Sequence, residues 1–478
     1  MPIPRRRAPL TDPEVSAGLD TIFLEQDIEA SFSDEVTTAA ESQVAADAGT
    51  KSRRTDRRDL PFVTVDPVGS TDLDQALAIE ATPGGGHIVW YAIADVMAFV
   101  PPGGPVDAES HRRGVTLYAP GRRVPLHPPS ISEGAASLLA GQDRPAVLWR
   151  LQLDADGSLV DTTVGRAVVR SREQLDYATA QRRIDEGDEV LAPLAVVGRR
   201  REVIETDRGG LNLPVPEQEV EHGADGYRLV YRAQLPVEGW NAQLSLLCGM
   251  AAAQLMLEGG WGLLRTLPPA DGPALALLRR HAKALGVVWT TEQGYADVVR
   301  GLDAGDPGDA AFAVQATRLF RGADYLPLRP GVDVSDEVMI HAAIAAPYAH
   351  VTAPLRRLGD RFATECVLAT VAGETPPEGV RAVLDDLPAE LRSGASRAGT
   401  LDRAVVDLFE SLVLSTVSRD ETFDGVVVDH RSSGSVVQLH DPAVVATVDV
   451  ELPLGEQVSV RVDDADPVAR RVALSVVD

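Results

Sequence analysis

Between Val63 and Gln75 the chain runs Val63-Thr-Val-Asp66-Pro-Val-Gly-Ser-Thr-Asp72-Leu-Asp74-Gln75, and no other stretch restricts the fold as much. Asp66 closes a run of strand formers, and Pro67 to Thr71 is rich in turn formers. Asp72 and Asp74 stand two apart, so in extended chain their side chains leave the same face. A strand followed by a loop that folds back brings three carboxylates towards one point. They repel one another unless a cation sits between them, and hard oxygen donors select Mg²⁺ or Mn²⁺. Such centres hydrolyse phosphodiesters by activating water and stabilising the leaving oxygen. The same spacing also suits turn and cap aspartates in an acid-rich chain, and spacing alone favours that plainer reading.

The flanking sequence sets this segment in a larger plan. Residues 1–55 are polar and rich in Ala, Glu and Asp, with one amphipathic helix suggested by Leu19, Ile22, Phe23 and Ile28. Lys51 to Arg58 reads as a basic linker, either a solvated connector or a phosphate-contacting edge. Phe62–Val65, Ala76–Ala81 and Ile88–Val96 read as strands, the last two joined by the turn at Pro83-Gly-Gly-Gly. Trp240–Leu257, Ala274–Leu285, Tyr295–Leu302 and Ala310–Phe320 read as helices, and 335–372 and 386–417 as mainly helical. Five short β runs fill the last sixty residues: Val426–Val428, Ser435–Leu439, Val444–Val450, Gln457–Val462 and Val472–Val477. That number in that length fits an OB-type barrel, a common module for single-stranded nucleic acid, or a plain β cap. The predicted class is α+β, divided into an extension (1–55), a catalytic domain of mixed sheets and helices (56–417) and a barrel (418–478).

The net charge of −26 argues against a uniformly basic nucleic-acid binder. It leaves room for a basic channel inside an acidic shell, and the arginines for it recur within the motifs: Arg112, Arg113, Arg122, Arg123, Arg356 and Arg357. Cys248 and Cys366 form no C-x-x-C pair, so they are expected to be buried thiols in a reducing compartment. No apolar leader follows Met1, and Leu244–Leu257 is too short to span a bilayer. A soluble, cytoplasmic, monomeric protein without membrane attachment is expected.

Asp59-Leu-Pro-Phe-Val-Thr-Val-Asp66 followed by Ser70-Thr-Asp72-Leu-Asp74 resembles the start of the RNB catalytic domain of the ribonuclease II and ribonuclease R family. Tyr91-Ala-Ile-Ala-Asp-Val96, Arg113-Gly-Val-Thr-Leu-Tyr118-Ala-Pro-Gly, Val124-Pro-Leu-His-Pro, Ser132-Glu, Ser137-Leu and Asp143-Arg144 are similar to that family's later motifs, in order. Tyr348-Ala-His-Val-Thr-Ala-Pro-Leu-Arg356-Arg-Leu-Gly-Asp360-Arg resembles its closing signature. The resemblance covers roughly residues 56–370, and the terminal barrel matches in type and place. It implies a 3′-to-5′ exoribonuclease that uses Mg²⁺, with Mn²⁺ as an alternative, and takes single-stranded RNA to nucleoside 5′-monophosphates. By position it implies Asp66, Asp72 and Asp74 as catalytic carboxylates and metal ligands. Arg356 would hold the scissile phosphate, with Arg357 beside it on the RNA. Tyr118 would stack on the terminal nucleotides, and Tyr177 would be a second aromatic platform.

The chain also departs from the family pattern. Gln75 stands where a fourth Asp is usual, so a neutral amide is expected as the fourth metal ligand. That predicts one weakly held cation, faster turnover with Mn²⁺ than with Mg²⁺, and a gain on Gln75→Asp. Asn241-Ala-Gln-Leu replaces a Glu-Glu-x-Met stretch, and Leu213 replaces an aromatic residue of the base clamp. The first 55 residues are too few for the two cold-shock barrels of most relatives. Two further readings follow: an RNA-binding protein with an impaired centre, and a nuclease dedicated to trimming particular 3′ ends.

Overall fold

The computed structural model describes residues 13–46, 54–211, 217–223, 226–232, 234–303, 306–331, 335–432, 434–439 and 441–477. Lys51 and Leu213 lie outside them. Nine strands lie between Thr55 and Asp176. They are β1 (Thr55–Asp56), β2 (Val63–Asp66), β3 (Gln75–Ala81), β4 (His87–Ala94), β5 (Leu117–Ala119), β6 (Arg122–Val124), β7 (Asp143–Leu153), β8 (Leu159–Arg170) and β9 (Glu173–Asp176). Seven of them form one mixed sheet in the order β1-β8-β7-β4-β3-β2-β9, while β5 and β6 make a separate hairpin.

Period-two alternation assigns each strand's side chains to two cores. Leu77 and Ile79, Val89, Tyr91 and Ile93, and Val147, Trp149 and Leu151 face one side, under the helices Ala192–Arg208, Pro236–Gly259 and Leu358–Ala372. Ala76 and Ala78, Trp90, Ala92 and Ala94, and Ala146 and Leu148 face the other. There the sheet is covered by α2 (Asp34–Ala45) and by Ile131 of the short helix Ser130–Ala135. Cys248 and Cys366 are buried free thiols, as expected.

The last five strands are Thr422–Arg431, Gly434–Leu439, Val445–Val448, Gln457–Asp466 and Arg471–Val476, and they close into a barrel. This is the OB-type arrangement read from the sequence. The helix Leu387–Ser415 leads into the barrel and shares its core through Val405, Leu408 and Phe409.

Two expectations need correction. The amino-terminal region holds two helices, α1 (Pro13–Glu25) and α2, and not one. Asp27 takes a positive φ of 51°, which ends helical geometry between them, and the Ser33 hydroxyl then caps α2 at Val36 N–H. Residues 335–372 are helical only at Asp336–Met339 and Leu358–Ala372. The Ala-rich stretch between them looks helical by composition, but Pro347 and Pro354 interrupt it. Its backbone bonds elsewhere: Thr116 N–H reaches the Arg356 carbonyl at 3.0 Å, and Leu358 N–H reaches the Gly114 carbonyl at 3.1 Å.

No described helix is long and apolar enough to cross a membrane.

Candidate active site

The loop after β2 is fixed before any side-chain chemistry enters. Gly69 has φ near +80°, the region only glycine enters freely, and Ser70 N–H closes the turn on the Pro67 carbonyl at 3.1 Å. The buried Ser137 hydroxyl then straps the returning chain. It donates to the Thr71 carbonyl at 2.7 Å and accepts from Leu73 N–H at 3.0 Å. Arg144 in turn holds the Ser137 carbonyl at 2.9 Å. The Ser137 and Arg144 motifs of the sequence are therefore the loop's anchors.

Asp72 and Asp74 project from this loop towards different partners. Tyr118 and Arg123 stand directly opposite each other in the β5–β6 hairpin, and both bind Asp72. The Tyr118 hydroxyl donates to Oδ2 at 2.8 Å, and the Arg123 guanidinium pairs with Oδ1. Arg123 continues to Glu133 at 2.6 Å. Asp74 is almost completely buried. Its Oδ1 accepts Leu355 N–H at 2.8 Å, and its Oδ2 lies 3.4 Å from Arg356 Nε.

Burial pushes the Asp74 carboxyl up to about 8; Arg356 opposes the rise, and the nearby Asp72 charge adds to it. Burial, then Asp72, likewise raises the Tyr118 hydroxyl, so it stays a donor.

The loop that carries Arg356 is shaped by Asp360, a residue the sequence motif contains but to which no role was given. Asp360 accepts Ala353 N–H at 2.8 Å and takes Arg357 Nη2 at 2.8 Å and Nε at 3.0 Å. His127, from the Val124-Pro-Leu-His motif, is fully buried with Nε2 3.3 Å from the Pro354 carbonyl. Arg123, expected in an open groove, is paired with Asp72. Reading Pro120-Gly121 as a hairpin turn was the signal available, since it pairs 118 with 123.

Gln75 departs from the expected ligand role. Its Nε2 donates to the Thr352 carbonyl at 2.6 Å, and its Oε1 accepts the Tyr91 hydroxyl at 2.6 Å. Tyr91 also meets Ser245 at 2.8 Å. Gln75 opens β3 just after Asp74, and its side chain is held by Thr352 and Tyr91 while Asp74 is held by Leu355 and Arg356. Asp66 closes β2, where it stands in register with Asp176 of β9. Asn241 is nearby, its amide 3.4 Å from the Val65 carbonyl. Tyr177, expected as a second aromatic platform, starts the helix Tyr177–Asp185 and is half-buried, packed in part against the main core.

The six arginines foreseen as an open basic groove each have a carboxylate partner. Arg112 and Arg113 pair with Glu109, Arg122 with Asp20, Arg123 with Asp72, Arg356 with Asp74 and Arg357 with Asp360. With 71 acidic residues against 45 basic ones, such partners are close at hand almost everywhere. Arg356 has the loosest pairing and keeps about half its side chain exposed: 47%.

Among the described residues no three His, Cys, Asp or Glu side chains are gathered closely enough to hold a metal ion. The pair Asp72 and Asp74 nonetheless has the donor chemistry for Mg²⁺. That ion is commonly held by one or two carboxylates plus water and substrate phosphate. Burial, and then the nearby Asp72 charge, raise the Asp74 carboxyl, and a cation bound beside it would favour the charged form.

Residues 54–371 match the family model "RNB domain", and residues 421–477 match "RNase II-type exonuclease C-terminal S1 domain". The chain is 29% identical over 452 residues to "Exosome complex exonuclease RRP44 homolog A" of Arabidopsis thaliana, covering 87% of this chain and 46% of that protein. It is 27% identical over 353 residues to "Ribonuclease R" of Escherichia coli, covering 69% and 42%. The chain thus spans fewer than half the residues of these relatives. The structure of Mycoplasma genitalium RNase R in complex with ribose methylated single-stranded RNA superposes with a TM-score of 0.86 at 19% identity, over 97% of this chain and 78% of that one. Yeast Ssd1, described as a pseudonuclease, superposes with a TM-score of 0.70 at 15% identity, over 98% and 58%.

Proposed function

The chain belongs to the RNB family, and from that premise we propose that it is a 3′-to-5′ exoribonuclease that hydrolyses single-stranded RNA to nucleoside 5′-monophosphates with a divalent metal. The convergence of Asp72, Asp74, Arg356, Tyr118 and Arg123 on one loop carries this reading. Asp72 and Asp74 would hold Mg²⁺ or Mn²⁺, with Asp66 at the end of β2 as the third catalytic carboxylate. The cation supplies an activated water and charge stabilisation for the leaving oxygen. Arg356 would take a phosphate, since its side chain is half exposed and its ion pair with Asp74 is long, at 3.4 Å. A planar fork on a phosphate is also the geometry that offsets charge building up in the transition state. Tyr118, fixed through Asp72, sets where the terminal nucleotide rests. Arg357 is clamped by Asp360 and shapes the loop more than it offers a free charge to RNA.

The decisive experiment is a time course on 5′-end-labelled single-stranded RNA with Mg²⁺, with Mn²⁺ and with chelator. A ladder shortening from the 3′ end that chelator stops is the expected result. Internal cuts, or undiminished activity in excess chelator, would refute the reading. A second reading, an RNA binder with impaired catalysis, draws on Gln75 and Asn241. Both are neutral and both are bonded to protein. It predicts retained RNA binding and no cleavage with either metal.

A further inference from the structure

The hairpin that carries Tyr118 and Arg123 consists of two three-residue strands with no neighbour in a larger sheet. Such a ribbon is not stable by itself and takes its position from what it packs on. One of those surfaces is α1. Val15, Leu19 and Ile22 form its buried stripe and share a core with Leu117 and Val124 of the hairpin and with Leu401, Val405 and Leu408 of the long helix. Gly18 permits the close approach, since a Cβ there would sit 2.8 Å from the Leu408 side chain.

The next stripe of α1 is polar and grips the hairpin directly. Arg122 Nη1 binds the Asp20 carboxylate, Nη2 reaches Ser16 Oγ at 2.8 Å and the Ser16 carbonyl at 3.3 Å, and the guanidinium lies 5.8 Å from the Phe23 ring. Ser16, Asp20 and Phe23 are spaced i, i+4, i+7, so they line one helix face. Arg122 is the immediate neighbour of Arg123. The segment after α1 adds a second hold: Arg113 donates to the Ser31 carbonyl at 2.6 Å, stacks 3.8 Å from the Phe32 ring and reaches the Pro125 carbonyl at 3.1 Å, just past β6.

We propose that α1 is a positioning element for the catalytic hairpin, with Ser16 and Asp20 acting through Arg122 to fix where Tyr118 and Arg123 stand over Asp72. The stretch 13–32 thereby governs where the terminal nucleotide stops and takes no part in bond cleavage. This rests on the reading of Tyr118 as the residue that seats the RNA end.

The test combines Ser16→Ala with Asp20→Ala in the full chain, alone and together with Tyr118→Ala. Amide hydrogen exchange across 117–124 should rise several-fold in the Ser16/Asp20 variant while the seven-stranded sheet stays protected. End-labelled RNA should still be shortened but stop at longer fragments, as with Tyr118→Ala. The triple variant should stop where Tyr118→Ala alone stops, because both changes disable one device. Unchanged exchange in the hairpin would overturn the proposal. So would product lengths that shift further in the triple variant, or exchange that rises equally throughout the sheet. Arg122→Ala provides an independent second variant with the same expected pattern. A wild-type protein that shortens no RNA would sink the exonuclease reading, and the exchange measurement would then decide the positioning role on its own.

Discussion

Replacing Gln75 by Asp restores the residue usual in the family, and the structure reverses what the sequence pattern suggests for that change. The Gln75 amide serves two buried partners from a half-buried position. Aspartate has no N–H for the Thr352 carbonyl and is one methylene too short to keep Tyr91. An unmet buried carbonyl costs about 1–3 kcal/mol and the lost Tyr91 bond about 1 kcal/mol, so Gln75→Asp should destabilise by roughly 2–4 kcal/mol. The Tyr91 hydroxyl keeps Ser245, which holds the loss towards the lower end. The new carboxylate would also face a carbonyl oxygen, which adds repulsion. Urea unfolding at neutral pH measures the loss, and Mg²⁺-dependent hydrolysis of labelled RNA measures the function. The expected result is a lower midpoint with no gain in Mg²⁺-dependent rate. Wild-type stability together with a faster Mg²⁺ reaction would show that position 75 faces the cation, and the account of its network would fall.

Asp74→Asn should reduce hydrolysis by several orders of magnitude while leaving the affinity for single-stranded RNA within a few-fold. Filter binding beside the cleavage assay checks this, and wild-type activity in the variant would remove Asp74 from the chemistry. Tyr118→Ala should lengthen the final fragment without stopping cleavage, since a stacking contact is worth about 1–3 kcal/mol per base; an unchanged ladder would leave Tyr118 with a packing role only. Burial holds the His127 imidazole down at about 3, so it is neutral when folded and takes a proton below pH 6.5 when unfolded. Stability from this group is complete above pH 6.5 and falls with acid, by about 2 kcal/mol at pH 5. A His127→Gln variant should lack that part of the pH slope in calorimetry, and equal slopes would refute the assignment.

The residues whose neighbours are close in sequence were the legible ones. The alternation in Ala76–Ala81 and Ile88–Val96 gave the strands at the heart of the sheet, because each side chain's face follows from its own chain. The barrel was legible for the same reason. The loop around Arg356 was not. Its alanines carry a local helix preference, while its conformation is set by Gly114, Thr116, Asp74 and His127, all more than 200 residues away in sequence. The arginine groove failed partly on the same ground: nothing in the order of residues says that Arg122 meets Asp20 or that Arg123 meets Asp72, whereas the Glu109 and Asp360 pairs are three or four residues apart and were legible as local ion pairs. Gln75 shows the limit at the site itself: the substitution was visible, but not that its amide would bridge Thr352 and Tyr91.

The Ser137 strap has a thermodynamic consequence. One hydroxyl holds the loop from both chain directions, at Thr71 and at Leu73, using protein atoms alone. Much of the backbone ordering of the carboxylate loop is therefore achieved during folding and not when an ion arrives. In a zinc finger the metal organises its ligands and the apo form is unfolded. Here the carboxylate loop is held by protein atoms, so if it takes the proposed cation, chelator should leave the protein's fold and unfolding midpoint unchanged.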